Sequence, residues 1–113
     1  MRIAMPRGDR KYVRFLVNDP NGTGTDIDFD EIWFTIKKKS SDRLFYFQKK
    51  LSAGQIEKLG LGDYQLCIEP ADTNKMNYGK YIGDIQLRYK NLLKETFVFD
   101  FELKDEVTFA ENE

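Results

Sequence analysis

The chain has 113 residues, 18 basic and 19 acidic, with 41% hydrophobic and 33% charged residues. That length suits one domain with a core of its own, and that balance excludes a disordered chain. The near-neutral charge excludes a general pull towards nucleic acid or anionic membrane, and no apolar stretch reaches the ~20 residues a membrane helix needs.

Aromatic residues make up 14% of the chain, which favours the pleated, half-buried surface of a sheet. Arg2 to Met5 reads as a short strand stopped by Pro6. From Lys11 to Asn18 the residues alternate, with Val13, Phe15 and Val17 on one face and Tyr12, Arg14 and Leu16 on the other. Asp19-Pro20-Asn21-Gly22 is a turn, since proline fixes φ and glycine accepts φ > 0. Glu31 to Lys38 alternates again, with Ile32, Phe34 and Ile36 opposite Trp33 and Thr35. Ser40-Ser41-Asp42 turns the chain into Leu44 to Leu51, where Phe45 and Phe47 share one side and Leu44 and Tyr46 the other. Ser52 to Asp63 is broken by glycine and small polar residues and holds one short strand or helical turn.

Tyr64, Leu66 and Ile68 share the next strand face, Pro70 closes it, and Pro70 to Asn74 reads as a helical turn. Tyr81 to Tyr89 brings Tyr81, Gly83, Ile85 and Leu87 together, and Asn91 marks a hairpin. The return strand, Glu95 to Leu103, aligns Phe97, Phe99, Phe101 and Leu103. The tail is acidic. Short strands at this spacing, with no sustained helical period, predict an all-β sandwich or barrel over a single domain, residues 1–113.

The residue types restrict chemistry further. Without histidine the chain lacks the commonest general base and the commonest metal ligand, and its one cysteine, Cys67, can neither form an internal disulfide nor build a zinc site. No Gly-x-Ser-x-Gly elbow surrounds Ser40, Ser41 or Ser52. Asp26, Asp28 and Asp30 alternate like a calcium loop, but Glu31 and Lys37 stand where that loop needs glycine and glutamate. Arg7-Gly8-Asp9 spells an adhesion tripeptide that a glycine turn between charges explains equally well. The expectation is a protein with no enzymatic activity, no cofactor and no metal. Its N-terminus shows no apolar run of signal-peptide type, which predicts use without export through the secretory route.

One ordered set of residues points further. It runs from Ile68-Glu69-Pro70-Ala71-Asp72-Thr73 through Tyr78 to Leu87 and then Phe97 to Leu103. With Arg7-Gly8-Asp9 and Ile32 to Lys37 ahead of it, this set resembles the immunoglobulin-like domain of tailed-phage and prophage structural proteins, typified by the N-terminal domain of baseplate upper proteins. The resemblance implies an immunoglobulin-like antiparallel β-sandwich of about seven strands. It also implies a structural role in a tail or baseplate, assembled in the bacterial cytoplasm with other phage structural proteins as partners. Homo-oligomerisation is compatible with it; nucleic acid and membrane are not expected partners.

Two sets of residues follow as candidates. Tyr81, two residues before Gly83 and after a corner containing Asp72 and Gly79, has the spacing of a tyrosine corner. Tyr12, Trp33, Tyr46 and Tyr89 fall on wet faces and are candidate interface residues, because tyrosine and tryptophan are enriched there. A carbohydrate-binding sandwich using Trp33 or Tyr46 as a stacking platform is the alternative.

Overall fold

Side chains on a strand point alternately to opposite faces, so the alternating apolar residues decide which face of each strand is dry. The computed structural model describes residues 2–17, 29–39, 41–60, 62–89 and 92–104, with the backbone alone for 92–94. Among them are eight strands: β1 (Arg2–Pro6), β2 (Lys11–Leu16), β3 (Glu31–Lys37), β4 (Phe47–Lys50), β5 (Ile56–Gly60), β6 (Asp63–Ile68), β7 (Gly79–Tyr89) and β8 (Leu92–Lys104). A single helical turn, α1 (Pro70–Thr73), lies between β6 and β7.

The strands form a five-stranded sheet in the order β1-β8-β7-β3-β4 and a three-stranded sheet in the order β2-β6-β5. The orders β2-β6-β5 and β8-β7-β3-β4 are B-E-D and G-F-C-C′ of an immunoglobulin sandwich. Every pairing is antiparallel except β1 with β8, which run parallel from Arg2 opposite Asp100 to Pro6 opposite Lys104. The exception has a local cause. Pro6 ends β1 and the turn at Arg7-Gly8 carries the chain across to the other layer, so β1 and β2 cannot form a hairpin.

The dry faces meet as their spacing requires. Ile32, Phe34 and Ile36 of β3 are fully buried, beside Ile85 and Leu87 of β7 and Phe99, Phe101 and Leu103 of β8. Val13 and Phe15 of β2, Ile56 of β5 and Tyr64, Leu66 and Ile68 of β6 line the opposite layer. Phe34 is at the centre, its ring 5.4 Å from Phe99 and 6.4 Å from Phe47. Truncating such a residue to alanine costs about 3–5 kcal/mol, so this aromatic cluster is a main source of cohesion.

The turn between β6 and β7 ties several elements together. Pro70 starts α1, where its missing N–H costs nothing, and the Asp72 carboxylate accepts the Glu69 backbone N–H at 2.7 Å. Asp72 also pairs with Lys49 of β4 at 2.7 Å, although Lys49 is only 8% exposed. From the β1–β2 turn, Gly8 N–H donates to the buried Thr73 Oγ1 at 2.9 Å, and the Arg7 guanidinium lies 4.3 Å from the Tyr78 ring centroid. Arg7-Gly8-Asp9 is therefore fastened to this corner.

Candidate interaction surface

Gly79 begins β7 with φ 139°, a conformation that side chains disfavour, and this sharp start lets the chain rise into the sheet beneath its own corner. Two residues on, Tyr81 is 3% exposed and its hydroxyl donates to the Asn77 backbone carbonyl at 2.7 Å. That is the bond of a tyrosine corner. Burial first, and the neighbouring Tyr46 second, push the Tyr81 hydroxyl above the usual tyrosine pKa. Asp72 takes no part in the bond; its carboxylate serves Glu69 and Lys49. The corner is structural: it fastens β7 and offers no reactive group.

The four candidate interface aromatics do not share a surface. Tyr12, 64% exposed, lies on the outer face of the three-stranded sheet opposite Cys67. Trp33 lies on the outer face of the five-stranded sheet, with Arg88 4.2 Å and Lys50 5.1 Å from its ring centroid. Tyr89 is partly buried and packs against the core. Only Tyr46 joins a cluster. Its ring meets Tyr81 edge-on at 5.1 Å, and beside it Leu44 and Phe45 are exposed by 85% and 51%.

Tyr46 was expected at an interface, and its neighbours Leu44 and Phe45 join it there; all three precede β4, which starts at Phe47 and not at Leu44. The signal was present in the sequence. Leu44 to Phe47 is apolar at four successive positions, and a strand at the rim of a sheet buries only alternate ones. The cluster sits in the connection from β3 to β4, flanked by exposed Lys38, Lys39 and Arg43.

The described residues contain no group of three or more His, Cys, Asp or Glu side chains able to hold a metal ion. Asp26 and Asp28 lie outside the described residues. Burial, reinforced by Glu69, pushes the Cys67 thiol above its ordinary pKa, which is the wrong direction for a nucleophile. No helix among the described residues is long and apolar enough to cross a membrane.

The class defined by the fold is an immunoglobulin-like β-sandwich with an aromatic core. Comparison of the chain with protein-family models, with curated proteins and with solved structures found no match.

Proposed function

We propose that this chain is a non-catalytic module that docks on other proteins, and that it serves as a structural or assembly part of a phage or prophage tail or baseplate. The observation that carries the docking reading is the run Leu44-Phe45-Tyr46, three successive apolar residues left exposed at one end of the five-stranded sheet. A contiguous apolar patch rimmed by charge is characteristic of an interaction site. Its basic rim, Lys38, Lys39 and Arg43, suits a partner surface that is apolar at its centre and acidic around it. The phage context rests on the resemblance of the Ile68 to Leu87 block and the strands around it.

Two measurements test this reading. Mass spectrometry of purified induced particles should find the chain in the virion, and its absence there refutes the phage role. Leu44→Ser with Phe45→Ser should leave the melting temperature within about 2 °C of the parent, since exposed positions contribute little to stability. The same double variant should lose co-purification with the particle; unchanged incorporation would move the docking site elsewhere. The carbohydrate alternative gains no support at Trp33, because Arg88 and Lys50 lie over the ring that a sugar would stack on.

A further inference from the structure

The register of a sheet fixes which side chains stand side by side on its outer face. In the three-stranded sheet β6 is the middle strand, with Tyr12 opposite its Cys67 and Arg14 opposite its Gln65. On the other side of β6, Glu57 of β5 lies opposite Gln65, and Gln55 continues that line just before β5 begins at Ile56. A cysteine reaches less far from the sheet than a tyrosine or a glutamine, so the middle row is low there. The result is a shallow depression of about 190 Å³, with Cys67 and Gln65 along its floor, Tyr12 on one flank and Gly54, Gln55 and Glu57 on the other.

The polar groups around this depression are in defined states. Arg10 donates twice to Glu69, at 3.0 and 2.8 Å, and Arg14 twice to Asp63, at 2.9 and 2.6 Å. An ion pair therefore stands at either end, and both guanidinium charges are already matched. The Gln55 amide oxygen accepts the Lys50 backbone N–H at 3.1 Å, which leaves its NH2 as a donor. Glu57 is exposed, has no ion pair among the described residues, and is the one charged residue among those that line the depression. Tyr12, 64% exposed, has most of its ring surface uncovered.

These groups select a class of ligand. The volume lies below the roughly 300–1,000 Å³ of sites for drug-sized molecules, which limits the occupant to about one ring. The arginines at both ends disfavour a cation, Glu57 disfavours an anion, and a purely apolar group would leave the amide and carboxylate without partners. A neutral ring with C–H faces and hydroxyls around its rim meets every requirement. Its face lies on Tyr12, two adjacent hydroxyls donate to the Glu57 carboxylate, and one accepts from the Gln55 NH2.

We propose that this depression binds a single neutral sugar ring, with Tyr12 as the stacking surface and Glu57 and Gln55 as the groups that read its hydroxyls. It lies on the other layer from Trp33 and from Leu44–Tyr46, so its test is independent of the docking reading above. The probes are methyl β-D-glucopyranoside, methyl α-D-mannopyranoside and methyl β-D-galactopyranoside, which differ in the directions of their hydroxyls. Each is titrated into isotope-labelled full-length protein, with glycerol as the ringless control. At least one glycoside should give saturable amide shifts centred on Tyr12, Gln55, Glu57 and Gln65. A Kd on the order of 1–10 mM is expected for a ring of about a dozen heavy atoms on a shallow surface. Tyr12→Ser and Glu57→Gln, both at exposed positions and expected to fold as the parent does, should each weaken binding about fivefold or more. Tyr12→Phe should keep it within about twofold, because the ring face is retained. Leu44→Ser with Phe45→Ser should not alter it. The absence of saturable shifts from all three glycosides, equal shifts from glycerol, shifts centred elsewhere, or unchanged binding by Tyr12→Ser or Glu57→Gln would each overturn the proposal.

Discussion

The ring of Phe99 fills the space that a side chain at Gly83 would occupy. A Cβ on Gly83 would lie 2.2 Å from Phe99 Cζ. Gly83 is opposite Phe99 in the β7–β8 ladder and two residues after the corner tyrosine, where disulfide-bonded immunoglobulin domains carry a half-cystine. Here the ring of Phe99, from the neighbouring strand of the same sheet, lies against that position, and glycine makes room for it.

Gly83→Ala should therefore destabilise the protein by about 2–3 kcal/mol through overpacking. Phe99→Leu in the same chain should recover part of that loss, since a smaller side chain accommodates the added methyl. Urea denaturation of both single variants and the double variant gives the coupling energy; strict additivity would show that the ring does not need the glycine.

Tyr81→Phe keeps the ring contacts and removes only the hydrogen bond to Asn77. A loss of about 1 kcal/mol is expected, with an unchanged dependence on denaturant concentration. A negligible change would mean that water substitutes fully for the hydroxyl.

Asp72→Ala leaves Lys49 buried without its carboxylate and strips the acceptor from the Glu69 N–H. A cost of about 3 kcal/mol or more follows from an unpaired buried charge. Lys49→Met also breaks the pair, but Asp72 keeps the Glu69 N–H and is the more exposed partner, so the loss should be smaller than for Asp72→Ala, while light scattering on storage rises because the β4 edge has lost the inward-pointing charge that guards it. Equal thermal damage from the two variants would contradict this division.

Asp84 lies on the outer face of β7, half-buried, with one carboxylate oxygen buried and unpartnered and Lys37 at 3.9 Å. Burial raises its pKa and Lys37 offsets that only in part. A carboxyl raised on folding destabilises when ionised. Stability is fullest below the unfolded carboxyl pKa of ~3.9 and falls as pH rises through the folded value. Asp84→Asn should thus stabilise the protein by about 1 kcal/mol at pH 7 and make no difference near pH 3. Thermal melts at both values check it; a gain that persists in acid would point to packing instead.

The strands were legible where alternation was strict. Ile32, Phe34 and Ile36 of β3, and Phe99, Phe101 and Leu103 of β8, are buried on the faces their spacing assigns. Pairing was not legible. Nothing in Arg2 to Pro6 states that its partner is a strand ninety-eight positions onward, because register depends on where the β1–β2 turn sends the chain. Lys49 was also hidden: a lysine on the dry face of an edge strand reads as a solvated charge until the Asp72 carboxylate is placed beside it. The interaction surface was half visible. Tyr46 stood out by type, but Leu44 and Phe45 passed as strand residues because an unbroken apolar run satisfies either face.

The parallel ladder between β1 and β8 has a mechanical consequence. Its Arg2 end and its Lys104 end lie at opposite ends of the ladder, so tension between the first and last strands pulls along the strand direction. All five rungs then resist together in shear, and none can be unzipped ahead of the others. A domain built this way can transmit load along its length without yielding at its ends.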